Sequence, residues 1–226
     1  SELRVIVATK GSIRFQIRTT GVPAHSSSPR DGKNAIYLMA IVIRIIEEKI
    51  APMIEQRTDP LCGYAAASVT LISGGRQVNI IPESCVIDVD RRLLPGEHWE
   101  NAYNEIKETV FAHLSPEEQT RVRFEYPYLI DPALADGPNA VMSRALSGEL
   151  QKLGLDGTPV GAPFGTDASK IALADIPVVV FGPGSIRQAH TKDEYIDVEE
   201  LLKAAEVYRN VILHFDQYIG SSGDGS

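Results

Sequence analysis

The chain has 226 residues, 43% hydrophobic and 23% charged, a balance that suits one large globular domain or two modest ones. Twenty-two basic against thirty acidic residues give a net charge of −8, without the basic stripe that a nucleic-acid surface needs, so no nucleic-acid partner is expected. Apolar runs such as 171–174 and 178–181 fall far short of the about 20 residues that cross a bilayer, and no membrane anchor is expected.

Ser1-Glu-Leu-Arg-Val-Ile-Val carries neither a basic segment nor an apolar signal core and reads as mid-strand, as if the natural chain began earlier. A strand is predicted near 11–20 and a helix near 32–49, where Ala35, Leu38, Met39, Val42, Ile45 and Ile46 fall on one stripe. Strands follow at 65–73, ended by Gly74-Gly75, and at 85–93, which alternates in and out before Pro95-Gly96. Cys62 and Cys85 are too few for a disulfide scaffold and lack metal-site spacing. Cys85, in the alternating run, is expected as a buried free thiol, consistent with a reducing, cytoplasmic setting. A helix near 99–113 and a strand near 121–126 complete a βαββαβ order, that of a ferredoxin-like unit with helices on one sheet face.

Residues 126–139, with Pro127, Pro132, Gly137 and Pro138, read as a linker. Beyond it helices and strands alternate: helix 139–153, strand 158–160, helix 167–174, a fully apolar strand 177–181 and a final helix 198–214. Asp197 and Glu200 have capping-box spacing for that last helix, and Leu201, Ala204, Ala205, Tyr208, Val211, Ile212 and Phe215 form its expected stripe. An apolar strand between helices suggests an α/β sheet covered on both faces, with two or three strands here and others absent. The expected divisions are 1–10, 11–125, 126–219 and a disordered low-complexity tail, 220–226.

His25 lies in a loop between a strand and a helix, where functional groups concentrate. Its imidazole is suited to donate to an oxyanion or to shuttle a proton; the plainer reading is a solvated histidine beside helix-capping serines. His25-Ser26 is no nucleophile pair, because adjacent side chains rarely face each other and no G-x-S-x-G elbow exists. His190 follows the apolar strand, where ligands bind in open α/β sheets, and imidazole is a common zinc ligand, although one histidine is not a metal site. Thr166 is placed at a helix N-cap, a position that either simply caps or attracts an anion. Arg92 is suited to clamp a carboxylate, or to pair with Asp90 or Glu97; Asn79 lies just after Gly74-Gly75-Arg76-Gln77-Val78. His214-Phe-Asp216 has ligand spacing but reads as a helix C-terminal cation.

Five stretches in order carry a resemblance: 21–36 (GVPAHSSSPRDGKNAI), 78–82 (VNIIP), 90–97 (DRRLLPGE), 163–169 (PFGTDAS) and 182–196 (GPGSIRQAHTKDEYI). Together they resemble the M20 metallopeptidase family, most of all its acetylornithine deacetylase and succinyl-diaminopimelate desuccinylase branch. The resemblance implies a ferredoxin-like lid, or dimerisation, domain inserted in an incomplete α/β zinc-peptidase-like catalytic domain, and a homodimer formed through the lid. It implies hydrolysis of an amide bond in N-acyl amino acids or small peptides by a metal-activated water. His190 matches the family's last metal ligand, and His25 the lid histidine that stabilises the oxyanion in the partner's site. Asn79, Arg92 and Thr166 match substrate-holding positions. Two zinc ions, or cobalt or manganese, would fill the complete site. The family's earlier ligands and its general-base glutamate have no match here, so the chain alone is expected to bind little metal and to be inactive. The alternative is a non-catalytic dimerisation or binding module.

Overall fold

A computed structural model describes residues 1–189 and 191–219, which fall into two compact units: residues 1–10 with those from 134 onward, and residues 11–133. The expected tail, 220–226, lies outside the described residues. Ser1–Val5 form turn and irregular backbone rather than the expected mid-strand, with Glu2 and Leu3 at φ 55° and 57°. The first strand, β1 (Ile6–Thr9), belongs to the flanking unit.

The inserted unit is built on β2 (Gly11–Thr20), which is followed by α1 (Ala35–Ile45). The stripe predicted for α1 is the one it buries: Ala35, Leu38, Met39, Val42, Ile45 and Ile46 are all inside. Asn34 caps it, accepting from the N–H groups of Ile36 at 2.8 Å and Tyr37 at 3.2 Å. The helix does not stop near residue 49. It widens to a π-turn over Ile46–Ile50 and continues as α2 (Ala51–Glu55). Pro52 supplies the reason: it has no N–H to donate and its ring crowds a carbonyl one α-turn back, a conflict the wider turn relieves.

A small ribbon, β3 (Thr58–Asp59) with β4 (Gly63–Tyr64), leads to β5 (Ala66–Gly74) and β6 (Ser84–Leu93). After them come α3 (Trp99–Ala112), α4 (Pro116–Gln119), β7 (Val122–Phe124) and β8 (Leu129–Asp131). The sheet order is β5-β6-β2-β7, with all pairings antiparallel. That is the ferredoxin-like order expected from the sequence. The supposed linker at 126–139 instead contains β8, which pairs with Ser12–Arg14 along the same edge of β2 that β7 occupies further on. Proline-rich composition marked the breaks on either side of this short strand and hid the strand itself.

Alternation along β2 and β6 separates two faces. Ile13, Phe15, Ile17, Ile87, Val89 and Leu93 are buried on one face, together with Ile106 and Val110 of α3. The other face carries Arg14, Gln16, Asp88, Asp90 and Arg92, paired with one another across the strands. One residue breaks the pattern. Arg91 lies on the apolar side and its side chain is 0% exposed. Its guanidinium donates to Glu97 at 2.6 Å and to the Arg92 carbonyl, while its Nε has no partner among the described residues. Glu97 also accepts from the Leu94 N–H and from Arg57, which bonds Glu105 as well.

In the flanking unit β1 runs parallel to β9 (Val160–Ala162), which starts two residues later than expected. The helices here are α5 (Ala140–Lys152), α6 (Ala168–Ala172) and α7 (Val198–Ile219). The apolar strand predicted at 177–181 is reduced to a single antiparallel bridge between Val180 and Ile6. The Val178 N–H turns instead to the side chain of Asn139, at 2.8 Å. That buried asparagine also donates to the carbonyls of Val7 and Ala135, so it joins three segments rather than capping α5. Among the described residues the expected sheet of two or three strands is β9 alone, paired with β1.

The last helix extends well past residue 214, and its buried line is Ala204, Val207 and Val211; the expected Leu201, Tyr208 and Ile212 are exposed. Asp197 caps it, accepting from the N–H groups of Glu199 and Glu200, but the Glu200 carboxylate bonds the Gly184 N–H, so the capping box is only half made. His214 is inside the helix and not at its C-terminus. Its Nδ1 stands 3.3 Å from Glu149 of α5, whose same oxygen accepts from Lys152 and the Tyr218 hydroxyl. Burial pushes the Glu149 carboxyl up, but the bonds from Lys152, Tyr218 and His214 outweigh it and hold the group below the ordinary carboxylate range.

Two outcomes follow from these buried charges. Glu97→Ala strands Arg91 in the core and should lower stability by about 3 kcal/mol or more, with Arg91→Met in the same background recovering part of it, as read by denaturant midpoints. Glu149, with its folded pKa depressed, contributes stability that is present above the unfolded carboxylate pKa of about 4.3 and is lost as pH falls through the folded value. Glu149→Gln should flatten that acid limb in a series of melts against pH.

Candidate active site

The loop after β2 is clipped at two places. Val22 and Lys33 exchange both backbone hydrogen bonds, at 2.8 and 2.9 Å, closing the loop's neck. Further out, the Ser26 N–H donates to the Asn79 carbonyl at 3.0 Å and the Ile81 N–H to the Ala24 carbonyl at 2.8 Å, so His25 lies opposite Ile80 in a one-bridge pairing. The structure thus brings together His25 and Asn79, two residues singled out from sequence, on neighbouring exposed segments.

The serines do not cap the helix. The Ser28 N–H donates to the His25 carbonyl at 2.9 Å, forming a tight turn. Inside that turn the His25 Nδ1 lies 2.7 Å from the Ser27 Oγ and accepts from the Ser27 N–H at 3.2 Å. The plainer of the two readings, a solvated histidine beside helix-capping serines, did not single out Ser27, because periodicity alone cannot tell which of several hydroxyls faces a ring. The only signal was its place two residues after the histidine.

Arg92 sits elsewhere on the inserted unit. It pairs opposite Ser12, whereas the His25 loop leaves the sheet after Thr20, opposite Ser84. Eight residues of extended chain separate those two points, roughly 26 Å at about 3.3 Å per residue. The Arg92 guanidinium holds Asp90 through Nε at 2.8 Å and Nη2 at 3.2 Å, and Arg14 holds the same carboxylate at 2.8 Å. The pairing with Asp90 is therefore present, and Glu97 is taken by Arg91 instead.

In the flanking unit, Phe164 of the fourth motif stretch and residues 183–186, 188–189 and 194–196 of the fifth meet around a 280 Å³ cleft, which Val180 also lines. Thr166 is not an N-cap: α6 begins after Asp167 and is only five residues long, too short to hold an anion at its start. The Thr166 hydroxyl is buried without a hydrogen-bond partner among the described residues. His190, expected as a metal ligand, lies outside the described residues. Among the described residues no three His, Cys, Asp or Glu side chains converge closely enough to hold a metal ion, so they do not fit the zinc pair that the resemblance implies. A cleft of 510 Å³ beside the π-turn and β5 contains none of the candidate residues. Cys62 and Cys85 are both buried, and burial pushes the Cys85 thiol up, which keeps it protonated.

Gly21 makes the His25 loop possible. A Cβ there would meet the Lys33 carbonyl oxygen at 2.1 Å and the Pro82 carbonyl oxygen at 2.5 Å, both backbone atoms. Gly21→Ala should therefore open the Val22–Lys33 neck, seen as faster amide exchange at Val22 and Lys33, at a cost on the order of 1–3 kcal/mol.

Comparison with known proteins bears on these arrangements. Residues 7–118 match the family model of the M20 peptidase dimerisation domain. The chain is 31% identical over 220 residues to an acetylornithine deacetylase of Yersinia pseudotuberculosis, covering 96% of this chain and 54% of that protein. It is 27% identical over 212 residues to the acetylornithine deacetylase of Myxococcus xanthus, covering 92% and 54%. A tripeptidase from Staphylococcus aureus shares the fold, with a TM-score of 0.73 at 19% identity over 96% of this chain and 55% of that one. An aminopeptidase from Bacillus cereus does likewise, with a TM-score of 0.71 at 24% identity over 95% and 54%. The chain spans about half the length of the curated relatives it matches. Residues 7–118 thus carry the peptidase dimerisation domain of the M20 family, and the chain is similar to these hydrolases along nearly its whole length.

Proposed function

We propose that this chain is the lid and closing portion of a metal-dependent amidohydrolase that cleaves an amide bond beside a free carboxylate, in N-acyl amino acids or small peptides. The acetyl-amino-acid substrates named by the relatives belong to that class. The described residues form no zinc site, so their share of the chemistry is substrate binding and stabilisation of negative charge. His25 is the group for the second task, standing with Asn79 in a pinned, exposed loop. Arg92 and Thr166 are proposed as substrate-holding residues and His190 as the metal ligand.

The observation that carries this reading is the spread of the candidates along β2, with His25 and Asn79 beyond one end and Arg92 near the other. One small substrate cannot touch both ends of a ten-residue strand. Two copies of the chain, each lending its His25 end to the other's substrate, remove the conflict. The free edge supports such pairing. β5 ends the sheet on one side and exposes Leu71 (65%) and Ile72 (60%), and α1 exposes Tyr37 (72%). A long apolar edge strand invites a second strand, whereas the opposite edge is broken into β7 and β8. No described helix is long and apolar enough to cross a membrane, and the buried thiol of Cys85 suits a reducing, cytoplasmic setting.

The chain by itself is proposed to be inactive. Purified and given zinc, it should sediment as a dimer and hydrolyse neither N-acetylornithine nor a tripeptide, while Leu71→Glu with Ile72→Glu should give a monomer. In a protein joining it to a metal-holding half, His25→Ala should lower kcat by about 10²-fold with little change in KM. Turnover by the isolated chain would overturn the division of labour; an unchanged kcat would favour a non-catalytic dimerisation module.

A further inference from the structure

The His25 loop leaves open two roles for its imidazole, hydrogen-bond donor and proton shuttle, and the ring's own contacts choose between them. A backbone N–H is a donor in every protonation state. The Ser27 N–H points at the His25 Nδ1 from 3.2 Å, so that nitrogen must present its lone pair. In that tautomer the Ser27 hydroxyl, 2.7 Å from the same nitrogen, donates to it too, sharing the single lone pair with the N–H. A neutral imidazole whose Nδ1 accepts carries its proton on Nε2.

The turn around the ring is tied at three points: Ser28 N–H to the His25 carbonyl, Ser26 N–H to the Asn79 carbonyl, and Ile81 N–H to the Ala24 carbonyl. The ring therefore folds over its own turn, much as an asparagine or aspartate side chain does when it accepts from the N–H two residues on.

We infer that Ser27 is a positioning residue that locks His25 in the Nε2–H form, so that the imidazole offers a fixed outward N–H and acts as a hydrogen-bond donor to developing negative charge, not as a base. To take a proton at Nε2 the ring would first have to move its own proton to Nδ1. There it would face the Ser27 N–H, donor against donor. The arrangement suits an oxyanion, which needs an oriented donor already in place. The inference deepens the proposed function and rests on it for its chemical meaning; the tautomer itself is a property of this chain that can be read without any turnover.

The test is two-bond nitrogen–proton correlation spectroscopy on the uniformly labelled chain at alkaline pH, with the ring neutral. The wild type should show a pyridine-like Nδ1 and a pyrrole-like Nε2 with little averaging. Ser27→Ala, which keeps the N–H and loses the hydroxyl, should shift both resonances toward those of free imidazole, and Ser27→Thr should restore them. Unchanged amide signals at Ile80 and Ile81 would report that the loop still pairs. A protonated Nδ1 in the wild type, or identical ring shifts in wild type and Ser27→Ala, would overturn the inference. The proposed catalytic role fails separately: that result is a tautomer that moves with Ser27 while His25→Ala in the joined, active protein leaves kcat untouched.

Discussion

Ten consecutive residue pairs between β2 and β6 set the phase of the inserted unit, from Gly11 opposite Leu93 to Thr20 opposite Ser84. Side chains alternate across a strand, so a slip of one residue would send Ile13, Phe15 and Ile17 to the solvent face and Arg14 and Gln16 into the core. The long ladder makes such a slip costly, because every apolar position on both strands would be misplaced together. Helices α1 and α3, the charged outer face and the start of the His25 loop take their places from that one register.

Arg91 is where the alternation works against simple burial. The strand's phase sends a guanidinium into the core, where burial pulls its pKa down and Glu97 opposes the shift. Glu97 stands in the turn that follows β6 and reaches the Leu94 N–H with one oxygen and Arg91 with the other. The buried charge therefore fixes the turn, and through Arg57 and Glu105 it ties that turn to α3. Losing Glu97 leaves the fully buried Arg91 guanidinium without its carboxylate in a medium that tolerates it poorly, while Arg57 keeps Glu105.

The candidate site rests on weaker forces. His25 and Asn79 are both exposed, and what holds them is backbone: two short pairings and a tight turn, made possible by close approach at Gly21. Loops of this kind position a functional group without burying it, which leaves the group accessible to a substrate or to another copy of the chain. The Ser27 contact adds the one feature backbone pairing cannot supply, the direction in which the ring presents its proton.

The sequence by itself determined the βαββαβ order, the buried stripe of α1, the alternation of β6 and the five motif stretches, because each is written in local periodicity or in contiguous residues. The family follows from the same contiguous signals. Tertiary structure decided what depends on partners distant along the chain. The apolar residues at 177–181 became a single bridge because Asn139 claims the Val178 N–H. The proline-rich stretch yielded β8 because β2 had a free edge beside it. The face buried by α7 was rotated away from the one its apolar residues suggested, since the facing α5 selects the contacts. Which arginine of the Arg91-Arg92 pair points inward, and which serine faces His25, are likewise set by register and turn geometry. Residue type at those positions is the same for either choice, so composition and spacing had nothing with which to distinguish them.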